Sequence, residues 1–214
     1  MSMNIKDIQL ILDHFEEPIF PRTISTKATQ AKQVPINNID EAYIRFEEAN
    51  FTDCRINAYP AFTNYKGLNR QAPNFVMCDL DITKFRTQKL LLKSLHKTTK
   101  NVAKDLGQGI QIQPTVLFTG NGYHVYQPIR LPLLENESIF APPKYENPST
   151  EFIRYAAQRW TEGKNDPSNH PSVNSCLLRV PGSINSKNNK VVEVVQLWNG
   201  IRPAANSMLF DFQI

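Results

Sequence analysis

Two acidic residues at the end of an apolar stretch are the first place in this sequence that could do chemistry. Asp79 and Asp81 follow the apolar run 75–78, with one leucine between them. On a strand, residues i and i+2 point to the same face, so the two carboxylates are expected side by side. Adjacent carboxylates repel unless a cation neutralises them, and hard oxygen ligands suit Mg²⁺ or Mn²⁺. The spacing predicts a divalent-metal site, with two solvated acids at a strand end as the alternative.

A glycine-bearing turn followed by a histidine is the second such place. Gly120, Asn121 and Gly122 separate two short segments, 114–119 and 123–127, and this pattern predicts a β-hairpin. His124 then shares a strand face with Tyr126. Backbone N–H groups of the turn and the imidazole can donate to a phosphate oxygen, although a single histidine is more often structural.

The third place is a polar loop that follows the apolar segment 177–180. The end of this segment and the loop together contain Arg179, Ser183, Asn185 and Lys187 within nine positions. These side chains are donors suited to phosphate, and the Pro-Gly pair between them sets a turn that presents them. An ordinary polar surface loop is the alternative. Upstream, Asp166 is the leading candidate for a third carboxylate.

A basic helix is predicted between the acids and the hairpin. The formal net charge is only +4, from 24 basic and 20 acidic residues, but residues 84–104 hold seven basic residues and no acid. Six of them recur at spacings of three or four, which places them on one helix face. These six are Arg86, Lys89, Lys93, Lys97, Lys100 and Lys104. This face is either solvated or a track for a nucleic-acid backbone, for which Lys89, Lys93, Lys97 and Lys100 are the candidates.

Length and composition limit the class of protein. The 214 residues are 41% hydrophobic and carry a low net charge, which excludes an intrinsically disordered chain and allows one large domain or two small lobes that share a core. Three cysteines without a CxxC pair predict neither a disulfide framework nor a zinc site. The first ten residues do not resemble a signal peptide, and no apolar run approaches the ~20 residues that span a bilayer. We therefore expect a cytoplasmic protein without a membrane partner.

The periodicity predicts a mixed α/β (α+β) domain with a largely antiparallel sheet. Helices are expected at 5–15, after an Asp40 cap at 40–49, and at 150–161. Strands are expected at 54–59, 74–81, 177–180 and 191–198, and loops at 20–35, 131–148 and 181–189. We expect one domain over 1–214, with a helical N-terminal part at 1–50 and a catalytic core at 51–200.

Taken together, the three constellations resemble the archaeo-eukaryotic primase superfamily, and within it the primase-polymerases of archaeal plasmids and mobile elements. The matching residues are Asp79 and Asp81; Gly120, Asn121, Gly122, Tyr123 and His124; and Asp166 with Arg179, Val180, Pro181, Gly182 and Ser183. The resemblance extends from about 55 to 198. It departs at Thr119, where the family usually has serine, and at 169–171, a small insertion that leaves Glu193 as an alternative third acid.

The resemblance implies a two-lobed fold whose catalytic lobe is similar to an RNA-recognition-motif sheet. It also implies DNA primase or DNA polymerase activity, in which Asp79, Asp81 and Asp166 hold two Mg²⁺ or Mn²⁺ ions. His124 would bind the phosphates of the incoming nucleotide. Supporting phosphate donors would be Gly120, Asn121, Arg179, Ser183, Asn185 and Lys187.

The implied partners are a single-stranded DNA template, a primer and nucleoside triphosphates. The chain is also expected to be part of a longer replication protein that carries a helicase. Two other hypotheses remain at this point. One is a non-catalytic module that binds single-stranded DNA or an origin, with Tyr59, Tyr65 and Tyr126 as stacking residues. The other is a metal-dependent nuclease or phosphohydrolase.

Overall fold

The structure is a computed structural model that describes residues 3–61, 73–131 and 148–213. Within these ranges the helices are α1 (Ile5–Leu12), α2 (Ile39–Glu48), α3 (Gln88–Leu106), α4 (Pro148–Thr161) and α5 (Asn206–Gln213). The strands are β1 (Arg22–Ser25), β2 (Val34–Ile36), β3 (Arg55–Asn57), β4 (Phe75–Asp81), β5 (Thr115–Phe118), β6 (Gly122–Pro128), β7 (Leu177–Arg179), β8 (Ile184–Asn185), β9 (Lys190–Val191) and β10 (Glu193–Gln196). One turn of 3-10 helix, Ile82–Lys84, follows β4.

The chain divides into two compact units that alternate along the sequence. The first takes its described residues from 1–69, 117–121 and 174–195, and the second from 70–116, 122–173 and 196–214. All of the predicted N-terminal part, 1–50, lies in the first unit, whereas the predicted core, 51–200, contributes to both.

The first unit is built on an antiparallel sheet with the strand order β2-β1-β3-β7. Ile24 of β1 pairs with Ile56 of β3, which in turn pairs with Leu178 of β7, and all three side chains are buried. Helices α1 and α2 pack against each other beside this sheet. A two-stranded ribbon of β8 and β9 completes the unit.

Two predictions for the N-terminal part are wrong. The predicted loop at 20–35 contains β1 and β2, because apolar residues such as Ile24 and Ile36 reach the core through long-range strand pairing. The cap of α2 is Asn38, whose side-chain oxygen accepts the Glu41 N–H, and Asp40 lies inside the first turn. The N-terminal part is thus helices and strands together.

The second unit has β4 and β6 at its centre. They pair antiparallel over their whole length, from Phe75 opposite Pro128 to Asp81 opposite Gly122. Helices α3 and α4 pack on these strands, and α5 packs on α4. Every residue of β6 is buried, as are the apolar residues of β4, so these strands form the core of the unit.

Strands β5 and β6 lie on either side of residues 119–121, as the hairpin pattern predicted. The predicted loop at 181–189 contains the short strand β8, and the predicted strand at 191–198 is interrupted between β9 and β10. The mixed α+β class with antiparallel sheets is confirmed. No helix in the described ranges is long and apolar enough to cross a membrane.

Candidate functional site

The acid pair, Asp79 and Asp81, lies on one face at the end of β4. Both residues are half-buried, whereas Cys78, just before them, and Leu80, between them, are completely buried. Successive side chains of a strand point to opposite faces. When Cys78 and Leu80 face the core, Asp79 and Asp81 therefore lie together on the other face. The predicted placement of the two carboxylates is therefore confirmed.

Strand β6 brings His124 beside Asp79, the first residue of the acid pair. His124 is the register partner of Asp79, and its Nε2 lies 3.5 Å from Asp79 Oδ2. The other ring nitrogen, Nδ1, lies 3.0 Å from the hydroxyl of Tyr126. Because Tyr126 is buried, its hydroxyl holds the imidazole in a fixed orientation beside the carboxylate.

The tyrosines predicted to stack on bases are not placed to do so. Tyr59 and Tyr126 are both 0% exposed, so neither ring can meet a base. That prediction is wrong because both aromatic rings fill the core of their units. Tyr65, the third tyrosine, lies outside the described residues.

A backbone hydrogen bond holds Asp166 beside Asp79. Its N–H donates to the Asp79 carbonyl at 2.8 Å, and Asn165 Oδ1 accepts the Asp79 N–H at 2.7 Å. Residues 165 and 166 thus bind the backbone N–H and carbonyl of Asp79 on the edge of β4 that has no strand partner among the described residues. The strand partner β6 lies on the other side of β4. The Asp166 carboxylate itself accepts hydrogen bonds from the N–H and the hydroxyl of Ser168.

The acid pair offers the type of donor that a hard divalent ion requires. Both carboxylates project from a rigid strand, and Asp81 uses one oxygen, Oδ1, to accept the N–H and hydroxyl of Thr83. The pair therefore supplies the oxygen donors that Mg²⁺ or Mn²⁺ prefers, and the metal site stays a prediction. In the described part of the chain, no three His, Cys, Asp or Glu side chains are grouped closely enough to hold a metal. Asp166 as third ligand stays a prediction, as does exposed Glu193 at the start of β10.

The predicted turn and the predicted polar loop meet in the first unit. Arg179, at the end of β7, donates to Asp53 Oδ1 at 3.1 Å and to Asn185 Oδ1 at 3.2 Å. The Asn185 amide then donates to the Thr119 carbonyl at 2.7 Å, just before the glycine turn. We call residues 179–188 the arginine loop. Its guanidinium and amide are held by the protein itself.

Other predicted donors of the arginine loop have different surroundings. Ser183 is buried and its hydroxyl donates to the Val180 carbonyl at 2.6 Å, so it closes the turn. Lys187 donates its backbone N–H to Asn185, and its side chain is exposed.

In the glycine turn, Asn121 is half-buried. Gly120 has φ +92°, and a Cβ there would lie 2.5 Å from the Asn188 side chain, so the turn requires glycine.

The sequence gives no local sign of Asp53, the acid that holds the arginine loop. Its carboxylate accepts from Arg179 and from both the N–H and the hydroxyl of Ser186, and it lies 3.7 Å from Arg55. Burial raises the pKa of this carboxyl, but the hydrogen bonds from Ser186 and Arg179 outweigh burial and leave the pKa below its usual value. A buried arginine demands a carboxylate partner, yet this partner is 126 residues away.

The basic face of α3 is exposed as predicted. Leu91, Val102 and Leu106 are buried on the opposite side. The helix begins at Gln88 with Thr87 as its cap, so Arg86 precedes it. We call the exposed lysines of this helix the lysine row: Lys89, Lys93, Lys97, Lys100 and Lys104.

Comparison with known proteins finds a similar solved structure. No model of a protein family matches the sequence, and no curated protein does. The solved structure of primase RepB' is similar, with a TM-score of 0.53, 15% identity, and coverage of 98% of this chain and 62% of that chain. The chain has a primase-like fold. At this identity the likeness shows the fold alone, and the chain spans less than two thirds of the structure that it matches.

Proposed function

We propose that the chain catalyses template-dependent nucleotidyl transfer, as a DNA primase or DNA polymerase that joins nucleoside triphosphates to a 3′-hydroxyl. The observation that carries the proposal is the placement of Asp79, Asp81 and His124 together on two paired strands. The primase-like fold supports the proposal. Because one fold can host many functions, we infer the activity from the site itself. A relationship to the archaeal plasmid enzymes rests on the motifs and belongs to the proposal.

The residues of the second unit have separate tasks in this proposal. Asp79 and Asp81 would hold the divalent metal, and Asn165 holds the Asp79 backbone in position. Bound Mg²⁺ or Mn²⁺ would lower the pKa of the primer hydroxyl and stabilise the charge on the triphosphate. His124 donates from Nε2 to a phosphate oxygen, and Tyr126 keeps the ring oriented for that bond.

The arginine loop, which belongs to the first unit, is a second candidate for binding phosphate. Lys187 has an exposed ammonium suited to a phosphate oxygen. Arg179 is held in a fixed orientation by Asp53 and Asn185. We assign Asn185 and Ser183 to positioning, because the hydrogen bonds of their side chains are made within the loop and to the Thr119 carbonyl.

Primer extension and unprimed synthesis with Mg²⁺ or Mn²⁺ test the proposed activity. Asp79→Asn with Asp81→Asn removes the metal-binding charges and keeps the shape. We expect a loss of at least about 100-fold, because even indirect partners of metal ligands cost 10- to 100-fold. The matched control is Asp40→Asn with Glu47→Gln, two exposed acids of the first unit. Full activity in the Asp79 and Asp81 variant contradicts the site, and release of labelled nucleotides from DNA indicates a nuclease instead.

Single-stranded DNA is the proposed partner of the lysine row. Lys93→Glu with Lys100→Glu reverses two exposed charges on it. We expect at least roughly tenfold weaker binding to single-stranded DNA and a salt slope smaller by about 1.4, because each phosphate contact contributes about 0.7. The control Lys27→Glu with Lys32→Glu makes the same charge change in the first unit. Equal effects of both pairs would reduce the row to a solvated surface.

Binding without catalysis is the second candidate function. The exposed lysine row favours it, because binding a DNA backbone requires only positive charge. It predicts that the Asp79 and Asp81 variant binds DNA like the wild type and that neither protein incorporates nucleotides. A helicase partner is a further part of the proposed replication role.

A further inference from the structure

One carboxylate is paired with the lysine row, and it lies near the middle of that row. The Nζ of Lys97 is 2.6 Å from Oε2 of Glu162, and the two side chains are 52% and 39% exposed. Within the described ranges, Lys89, Lys93, Lys100 and Lys104 have no acidic partner at salt-bridge distance. The row spans about 22 Å along the helix axis, at 1.5 Å per residue. Its charge is therefore interrupted at one position.

The backbone at the end of α4 fixes the location of Glu162. This residue follows the last turn of the helix with φ +53°, and its N–H donates to the Arg159 carbonyl at 3.2 Å. The next residue, Gly163, donates its N–H to the Gln158 carbonyl at 2.8 Å. Asn101 of α3 donates to the Trp160 carbonyl at 2.9 Å, which fastens the end of α4 to α3. The carboxylate is thus held beside the row by more than its ion pair.

Glu162 is charged in this position. The hydrogen bond from Lys97 holds the pKa of the Glu162 carboxyl below its usual value, and Asn101 and Lys164 lower it further. A carboxylate and a phosphate are both anionic oxygen acceptors, so they compete for the same ammonium group. A DNA backbone that follows the row must share Lys97 with Glu162 or displace it, and in either case it lies beside the negative charge of Glu162.

We propose that Glu162 is a built-in competitor of single-stranded DNA on the lysine row. It occupies Lys97 when DNA is absent, weakens binding and removes one lysine from the first contact. This inference rests on the proposed DNA track, and on no step of nucleotidyl transfer. Weak, reversible contact at the centre of the row would allow a template strand to move along the helix.

The test is the binding of a fluorescently labelled, mixed-sequence single-stranded DNA to Glu162→Gln over a range of salt concentrations. The matched control is Glu151→Gln, which removes the same charge from an equally exposed glutamate of α4 that pairs with Arg154 at 3.1 Å. We expect Glu162→Gln to tighten binding about three- to fivefold and to steepen the salt slope by about 0.7. Glu151→Gln should change binding by less than about twofold.

Two further variants separate the possible outcomes. In a Lys97→Ala background, Glu162→Gln should have little effect, because the pair no longer exists. Equal effects of Glu162→Gln and Glu151→Gln, or an unchanged affinity, would overturn the inference. If Lys93→Glu with Lys100→Glu also leaves binding unchanged, the proposed DNA track fails with it. If that pair weakens binding and Glu162→Gln does nothing, only the competitor role is lost.

Discussion

The end of β4 and the arginine loop were both predicted to bind ligands, but they use their polar side chains differently. In the loop, Arg179 and Asn185 are buried and bonded to protein atoms at 2.7 to 3.2 Å. At the end of β4, Asp79 is 19% exposed and stands 3.5 Å from His124, longer than a good hydrogen bond. Buried polar groups bonded within the protein stabilise the fold, whereas half-buried carboxylates on one strand face stay accessible to a ligand.

Because of this difference, we expect substitutions in the two regions to affect different properties of the protein. Substitutions of the buried residues of the arginine loop should reduce the stability of the protein, with activity following from that loss, whereas exposed Lys187 stays a candidate phosphate donor. Substitutions in the acid pair should remove activity and leave stability nearly unchanged. Enzyme sites commonly show the second pattern, because charges arranged for a ligand are unfavourable in its absence. Each of the following changes tests this contrast, from the largest expected effect to the smallest.

Asp53→Ala should cause the largest loss of stability. It leaves the Arg179 guanidinium, only 8% exposed, without its carboxylate, and we expect the free energy of unfolding to fall by about 3 kcal/mol. Urea denaturation gives the value. Glu48→Ala is the control, because it breaks an ion pair with Arg45 that is more than half exposed and should cost under about 0.5 kcal/mol. Equal costs would mean that the loop is not held by Asp53.

Gly120→Ala should cost roughly 2 kcal/mol, from an unfavourable φ and from contact with Asn188. Gly109→Ala is the matched control, since Gly109 has φ +87° and no atom within 4 Å of an added Cβ. The difference between the two variants in thermal or urea unfolding measures the contact. If Gly109→Ala costs as much, the close approach of the turn to the arginine loop contributes nothing.

The pH dependence of stability should carry a smaller contribution from Asp53. Its pKa is lowered by folding, so its contribution is fully present above the unfolded pKa of about 3.9 and is lost as the pH falls through the lower folded value. The difference in unfolding free energy between wild type and Asp53→Asn should therefore shrink between pH 5 and pH 3. A difference that stays constant over this range would show that the carboxylate charge does not stabilise the loop.

Asp79→Asn with Asp81→Asn should have the smallest effect on stability, within about 0.5 kcal/mol of the wild type. The two amides relieve the repulsion between carboxylates, and asparagine at 81 can still cap the following turn at Thr83. Denaturation of the same protein used in the activity assay gives this value. A loss of several kcal/mol would make the acid pair structural and would remove the contrast with the arginine loop.

Local patterns in the sequence predict the acid pair and the basic helix well. The alternation through β4 and the three-to-four spacing through α3 are set by neighbouring residues, so both appear in the sequence. Long-range pairings do not appear there. Strands β1 and β2 have four and three residues and depend on partners in other segments, so local patterns predict a loop in that region.

The site shows the same limit. The motifs indicated Asp79, Asp81, His124 and Arg179, because each belongs to a short pattern. Asp53 and Asn165 were missed, since each acts on a residue far away in the chain, 126 and 86 positions from its partner. The cap of α2 was placed two residues late because asparagine and aspartate are about equally good caps. Positioning residues of this kind become visible only when the fold brings them to their partners.

A crystal structure of the protein with Mn²⁺ and a nucleoside triphosphate tests the central claim most directly. We predict anomalous density for manganese within coordination distance of Asp79 and Asp81, with a phosphate oxygen hydrogen-bonded to His124. The same map shows whether Asp166 or Glu193 completes the ligand set. Bound triphosphate with manganese away from both carboxylates would contradict the account.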